Sequence, residues 1–234
     1  MQLFFDFPVK PQYTFANFVI CSGNSTAVQF VRRVMAPDSG ENLLYLHGAT
    51  GSGRTHLLSA ISSDLAGCSP GSQSSIIPLE AVTEENCGSV VEQAGVRTHL
   101  LLDNLHLLAD SSLLRSAVWQ LFNDFYESGR KIIATATLPP KELKSLDEHL
   151  QSRFMWGLVA KLDISDDESR RMILGKLAAD RQIMLPSEVS DYLLVHVRRD
   201  IPSLAAALEL LKQRSFAVQK KISLKLAREV LGQG

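Results

Sequence analysis

Few cysteines, almost no net charge and the lack of any long apolar run limit what this 234-residue chain can be. Its cysteines, Cys21, Cys68 and Cys87, are far apart, odd in number and fit no metal-binding spacing, so reduced thiols are expected. A formal net charge of −1 argues against a protein that works by gripping a phosphate backbone. No direct sequence-specific DNA binding is therefore expected.

The apolar residues also exclude membrane and secretion segments. No run approaches the roughly 20 residues of a membrane helix, and the first residues lack the basic start and apolar core of a secretion signal. We expect a cytoplasmic protein without a membrane partner. At 45% hydrophobic residues, the chain can bury one large core and one small one.

A glycine-rich turn after a short apolar run is the most informative stretch. Residues 43–47 enter Gly-Ala-Thr-Gly-Ser-Gly-Arg-Thr, and helical spacing follows, which is the layout of a phosphate-binding P-loop. Glycines let backbone N–H groups surround an anion, and the helix N-terminus adds unpaired donors. The predicted nucleotide-binding residues here are Gly48, Ala49, Thr50, Gly51, Ser52, Gly53, Arg54, Thr55 and His56.

Two positions differ from the residues expected in an active P-loop ATPase. Arg54 stands where Lys is expected, and its planar fork on a longer stem replaces a compact charge. Residues 99–104 are apolar and then abruptly acidic, as in a Walker B strand whose Asp103 would meet Mg²⁺ together with Thr55. The alternative for Asp103 is a strand-end cap. The next residue, Asn104, cannot act as a base, so phosphate binding with weak or no ATPase activity is predicted.

The periodicity predicts an α/β fold with a central parallel sheet over 13–162 and a small all-α lid over 163–234. The predicted strands are 43–47, 76–79, 99–104, 131–137 and 157–162. The predicted helices include 26–35, 83–95, 113–128, 141–146, 166–182, 187–197, 200–219 and 223–231. Trp119, Phe122 and Phe125 are interpreted as core residues of their helix.

Residues 1–12 are predicted to be an extended peptide because Pro8 and Pro11 interrupt any helix. Gln2, Leu3, Phe4 and Phe5 form its apolar part. They could serve as a peptide ligand for a hydrophobic pocket on another protein. Packing back onto their own domain is the alternative, and the residues alone leave both open.

Together these features resemble an AAA+ module, and five segments are similar to the ATPase domain of the DnaA family. They are 13–19, 23–24, the P-loop with residues 55–58, 137–143, and 152–158 with its Ser-Arg-Phe-Met-Trp-Gly element. No helix-turn-helix segment follows the lid, so the architecture resembles the DnaA-related Hda family. In that family the P-loop Lys is also Arg and the second Walker B acid is also Asn.

The resemblance implies roles for several residues. Tyr13, Phe18 and Val19 would cover the adenine of ADP or ATP. Arg153 would be an arginine finger acting in trans on a nucleotide held by DnaA, the alternative being a surface salt bridge. The peptide from Gln2 to Phe5 would bind the β subunit of the sliding clamp.

The resemblance also leaves functional alternatives. Pro202 stands where the lid of DnaA carries a nucleotide-sensing Arg, so ADP is the expected nucleotide. Arg198 or Arg199 could take the place of that sensing Arg. The expected function is regulation of replication initiation, by promoting hydrolysis of DnaA-bound ATP. The alternatives are a small ATPase in its own right and a scaffold that binds the initiator or DNA without stimulating hydrolysis. A homo-oligomer remains open.

Overall fold

The computed structural model describes residues 13–68, 76–108 and 110–232. The predicted clamp-binding residues Gln2, Leu3, Phe4 and Phe5 lie outside these ranges. Among the described residues, no helix is both long enough and apolar enough to cross a membrane.

A five-stranded parallel sheet forms the centre of the larger part of the molecule. Its strands are β1 (Leu43–His47), β2 (Ile76–Pro78), β3 (His99–Asp103), β4 (Lys131–Ala136) and β5 (Leu158–Lys161). The spatial order is β2-β3-β4-β1-β5, so β1 and β3 lie on either side of β4. The segments that follow β1 and β3 therefore meet at one edge, around the end of β4.

Helices cover both faces of this sheet. They are α1 (Ser25–Met35), α2 (Arg54–Cys68), α3 (Cys87–Gly95), α4 (Ser112–Glu127) and α5 (Glu148–Phe154). Side chains alternate along β1: Leu44 and Leu46 join the core that includes α1 and α2, and Leu43 and Tyr45 join the core that includes α3, α4 and α5. Because the central strands β1, β3 and β4 are buried on both faces, they appear in the sequence as nearly continuous apolar runs.

A separate helical unit follows the last strand. It consists of α6 (Asp167–Asp180), α7 (Ser187–His196), α8 (Ile201–Ala217) and α9 (Leu224–Leu231). Asp166 caps α6 by accepting a hydrogen bond from the Ser169 N–H at 2.7 Å. Leu174, Leu193 and Leu208 centre a core that is distinct from the two cores on the sheet. The predicted fold class, an α/β P-loop domain followed by an all-α lid, is confirmed.

Two predicted helices were wrong in extent. The helix predicted over 141–146 is only a 3-10 turn at Pro140–Glu142, because the side chain of Gln151 binds the carbonyls of Leu143 and Leu146 at 3.1 and 3.0 Å. The helix predicted over 83–95 begins at Cys87. The Asn86 side chain accepts a hydrogen bond from the Thr83 N–H at 2.8 Å and holds the preceding residues in a turn.

Candidate functional site

The P-loop connects β1 to α2 and has the geometry of an anion cradle. Gly51 and Gly53 adopt φ values of +81° and +95°, a left-handed region that favours glycine. Gly48 is buried, whereas Ala49 and Thr50 lie on the exposed side of the loop. The Ser52 hydroxyl is buried without a hydrogen-bond partner among the described residues. A buried hydroxyl without a partner, in a glycine-rich loop at the start of a helix, fits a phosphate oxygen.

Neighbouring segments press closely on the two glycines. A Cβ at position 51 would lie 2.7 Å from Cδ of Pro202, in the first turn of α8, and a Cβ at position 53 would lie 3.0 Å from the Phe18 ring. The lid and the aromatic segment before α1 therefore both reach the P-loop. Pro202, which is predicted to stand where the lid of DnaA carries a nucleotide-sensing Arg, lies directly against the loop.

The carboxylate of Asp103, at the end of β3, is held by two threonines. Its Oδ2 accepts a hydrogen bond from the Thr55 hydroxyl at 2.9 Å, and its Oδ1 accepts one from the Thr135 hydroxyl. The two residues that the sequence predicts as Mg²⁺ ligands, Thr55 and Asp103, are therefore in direct contact, and both carry oxygen atoms of the kind that Mg²⁺ prefers. Asp103 does lie at the end of its strand, as the strand-end cap alternative requires. A capping role alone, however, does not explain its hydrogen bond to Thr55 in the P-loop helix.

Arg54 is buried, with 7% of its surface exposed, and its guanidinium turns toward the end of β3. Its Nη1 donates to Oδ1 of Asn104 at 3.3 Å. Burial lowers the pKa of Arg54, and the nearby Asp103 carboxylate opposes that effect. The two departures from the active motif, Arg54 and Asn104, are therefore hydrogen-bonded to each other.

The aromatic segment covers the start of α2. His56 Nε2 lies 3.0 Å from the Thr14 carbonyl and 2.9 Å from Oδ1 of Asn17, so it carries the proton that both oxygens accept. The His56 ring lies 4.8 Å from the ring of Tyr13 and 5.1 Å from that of Phe18, centroid to centroid.

The environment of His56 and the end of this segment are also defined. Burial lowers the pKa of His56, which keeps its ring neutral. Val19 is half-buried, and its carbonyl accepts a hydrogen bond from Asn24 at 2.9 Å. Of the predicted adenine-covering residues, Tyr13 and Phe18 thus lie beside the P-loop and His56.

The two lid arginines considered as substitutes for Pro202 both face acids. Arg198 pairs with Asp200 at 3.2 Å, and Arg199 lies 3.5 Å from Asp167. Asp200 also caps α8 through the Ser203 N–H at 2.8 Å. Each arginine thus has an acidic partner within the lid.

Arg153 lies in the last turn of α5 and is framed by two indole rings. Its guanidinium carbon is 4.8 Å from the centroid of the Trp119 ring and 4.4 Å from that of Trp156. It is half-buried and forms no ion pair with any residue in the described ranges. The salt-bridge alternative is therefore absent there, and the positive charge is held by aromatic faces.

Two residues of these arrangements were missed by sequence reasoning. Trp119 was interpreted as core, but it is only partly buried, and one side faces Arg153. Glu80, in the 3-10 turn Leu79–Ala81, accepts hydrogen bonds from the Asn104 side chain. Neither position carries a motif signal, because each contact joins segments far apart in sequence.

A P-loop after β1, an acid at the end of β3 and a helical lid at the loop define an AAA+ type of P-loop protein. Comparisons with known proteins agree. Residues 9–161 match the sequence model of the bacterial DnaA ATPase domain, and residues 167–231 match that of the lid domain of Hda. The chain belongs to the bacterial DnaA ATPase-domain family, and its lid is of the Hda type.

Solved structures give the same result. Domain III of the replication initiation protein DnaA from Thermotoga maritima is 29% identical, with a TM-score of 0.86, covering 97% of this chain and 98% of that one. AMPPCP-bound DnaA from Aquifex aeolicus is 23% identical, with a TM-score of 0.78 over 90% of this chain and 68% of that one. The Thermotoga maritima RuvB Holliday junction branch migration motor shares the fold at 14% identity, with a TM-score of 0.73, covering 95% and 72%.

Proposed function

We propose that this protein is an Hda-like regulator of bacterial replication initiation. It binds an adenine nucleotide, preferentially ADP, docks on the sliding clamp through Gln2, Leu3, Phe4 and Phe5, and offers Arg153 to ATP held by DnaA. Hydrolysis then occurs on the partner, which switches the initiator off.

The observation that carries this proposal is the environment of Arg153. A guanidinium without an acidic partner keeps its full charge for an incoming anion, and two indole faces restrict where it can point. An arginine finger supplied in trans stabilises charge that develops on a transferring γ-phosphoryl group. A structural Arg would instead be expected to neutralise a carboxylate of its own chain.

The P-loop supports nucleotide binding with little turnover. The orphan Ser52 hydroxyl, the left-handed glycines and the Thr55–Asp103 pair suit a phosphate with Mg²⁺. Asn104, in the place of a second Walker B acid, cannot take a proton from an attacking water. DnaA from Aquifex aeolicus, a member of the same fold, was solved with AMPPCP bound, which favours an adenine nucleotide here.

The test is ATP hydrolysis in a mixture of DnaA–ATP, clamp loaded on DNA and this protein. The same assay is run without each component, with residues 2–5 deleted, and with Arg153→Ala. We expect hydrolysis only when all three components, the peptide and Arg153 are present. Phosphate release is the readout.

The other outcomes separate the alternative functions. Hydrolysis by the purified protein alone would make it an ATPase in its own right. Binding to DnaA or DNA without hydrolysis in any mixture would leave a scaffold. Stimulation that survives Arg153→Ala would overturn the finger role, and stimulation that survives deletion of residues 2–5 would overturn the clamp tether.

A further inference from the structure

Glu80 contacts the nucleotide site from a neighbouring strand. Both of its carboxylate oxygens accept hydrogen bonds from Nδ2 of Asn104, at 3.3 and 3.4 Å. Glu80 lies in the turn that follows β2, and Asn104 directly follows β3. Because β2 and β3 are parallel neighbours, their carboxyl ends meet at the same edge of the sheet.

Asn104 is held in one orientation by the chemistry of its two partners. The carboxylate of Glu80 can only accept, and the guanidinium of Arg54 can only donate. The amide of Asn104 therefore must point Nδ2 at Glu80 and Oδ1 at Arg54, where the distance to Nη1 is 3.3 Å. The three side chains form a chain of hydrogen bonds from an exposed acid to a buried cation.

The backbone fixes Asn104 as well. It adopts the left-handed conformation, with φ of +58°, and its N–H donates to the Thr135 hydroxyl at 3.1 Å. Asn tolerates this conformation better than most residues. Since Thr135 also binds Asp103, movement of Asn104 would disturb the Walker B carboxylate.

We propose that Glu80 and Asn104 are specificity-determining residues that hold the Arg54 guanidinium at the end of β3 and so select a nucleoside diphosphate over a triphosphate. This inference rests on the proposed nucleotide binding. The basic residue of a P-loop reaches toward the β- and γ-phosphates, and the Walker B end faces the γ-phosphate and its Mg²⁺. A guanidinium bound there takes the space of a γ-phosphate. A diphosphate ends before that space.

The hydrogen bonds made by Glu80 and by Asn104 are expected to contribute unequally to the preference for ADP over ATP. The Glu80 contact is exposed and long, so its loss should narrow the ADP-to-ATP affinity ratio by about threefold. Loss of the Asn104 contact releases a buried charged group, so the ratio should narrow by about tenfold or more. Both changes should act through Arg54.

The experiment measures binding of ADP and of a non-hydrolysable ATP analogue by titration of the full-length protein. The variants are Glu80→Ala, Glu80→Gln, Asn104→Ala and the control Glu84→Ala, an exposed acid that binds Ser111 instead. Each is also made with Arg54→Lys. We expect Glu80→Gln, which keeps an acceptor oxygen, and Glu84→Ala to retain the wild-type ratio. With Lys at position 54, Glu80→Ala should have no further effect.

Each other outcome has a distinct meaning. A ratio unchanged by Glu80→Ala, in a protein that still binds both nucleotides, would overturn this inference and leave the proposed function standing. An effect of Glu80→Ala that persists with Arg54→Lys would overturn the route through Arg54. Failure of the wild-type protein to bind either nucleotide would overturn nucleotide binding itself. Should Asn104→Ala fail to fold, the Glu80 variants decide alone.

Discussion

The guanidinium carbon of Arg153 lies 4.4 Å from the centroid of the Trp156 ring, and Trp156 is itself 54% exposed. The Trp156 ring lies 5.5 Å from the ring of Tyr126, centroid to centroid, and Tyr126 stacks on the buried Phe122 at 5.6 Å. The half-buried cation is thus connected to the hydrophobic core by a row of aromatic rings. This row orients Arg153 without neutralising it.

Arg153→Ala should abolish stimulation of ATP hydrolysis by DnaA, with a loss of about 10³-fold or more, because arginine fingers contribute at least that much. The melting temperature should change little, since no acid in the described ranges loses its partner. Arg153→Lys keeps the charge but not the planar fork, and should recover only a small part of the rate. Loss of stimulation that parallels loss of folding would contradict a direct role.

Trp156→Ala should weaken stimulation without abolishing it. An exposed cation–π contact is worth about 0.5–1 kcal/mol, which corresponds to a loss of about two- to fivefold. Trp156→Phe keeps a ring face and should retain more activity. The measurement is the dependence of DnaA-bound ATP hydrolysis on the concentration of each variant, and equal rates for the Ala and wild-type proteins would show that Trp156 does not position Arg153.

Ser52→Ala should have opposite effects on the free and nucleotide-bound protein. Removal of a buried hydroxyl without a partner should raise the free energy of unfolding of the free protein by about 1 kcal/mol. The same change removes a proposed phosphate ligand, so ADP affinity should fall. Urea unfolding with and without ADP measures both effects, and a loss of stability without ADP would mean that the hydroxyl has a structural role.

Gly23→Ala should strongly destabilise the protein. A Cβ at position 23 would lie 1.7 Å from the carbonyl oxygen of Asp163, whose N–H donates to the Gly23 carbonyl at 2.8 Å. Such overpacking costs about 1–3 kcal/mol or more. Gly175→Ala is the matched control, because it lies in α6 with open space around it and should stabilise the helix by up to about 1 kcal/mol. Thermal unfolding of both variants tests the contrast.

The protein should lose stability as the pH falls below about 6.5. Burial lowers the pKa of His47, His56, His99 and His106 in the folded protein. The unfolded chain, with ordinary values near 6.5, then binds more protons, so stability rises with pH in this range and is lost as the pH falls through the folded pKa values. The pKa of Asp163, held at about 2 by hydrogen bonds from Lys161 and Ser165, lies outside this window.

Urea unfolding at several pH values between 7.5 and 5 measures this dependence. His56→Gln keeps a donor for Thr14 and Asn17 but cannot be protonated in this range. It should therefore show a shallower loss of stability than the wild-type protein. An identical slope for the two proteins would show that His56 does not contribute.

Local sequence patterns predicted most of the architecture. The central strands β1, β3 and β4 bury both faces and so appear as apolar runs, and the P-loop residues act within one continuous segment. The exceptions depended on contacts between segments. Gln151 satisfies the carbonyls of Leu143 and Leu146 that a helix would otherwise have used. The hydrophobic periodicity of residues 141–146 carries no information about a side chain from another segment that binds these carbonyls.

In the candidate site, too, residues in local motifs could be predicted from the sequence, whereas contacts between distant segments could not. Arg54, Thr55 and Asp103 were identified because their motifs are local. Glu80 and Trp119 were missed because each meets its partner only when β2 lies beside β3 or when α4 lies beside α5. The hydrogen bond between Arg54 and Asn104 spans 50 residues and was likewise invisible in the sequence, although both residues were noted individually.

His56 binds the segment from Tyr13 to Phe18 through hydrogen bonds and ring contacts. This attachment limits how far the proposed clamp-binding peptide can extend from the P-loop. Tyr13, the first residue that the structure describes, lies against the His56 ring at the start of the P-loop helix. From Phe5 to Tyr13 a fully extended backbone spans at most about 30 Å. If the peptide docks on the sliding clamp, Tyr13 and the adjacent P-loop would therefore stay within about 30 Å of the clamp. The protein could then reach only those DnaA molecules that are bound near the clamp.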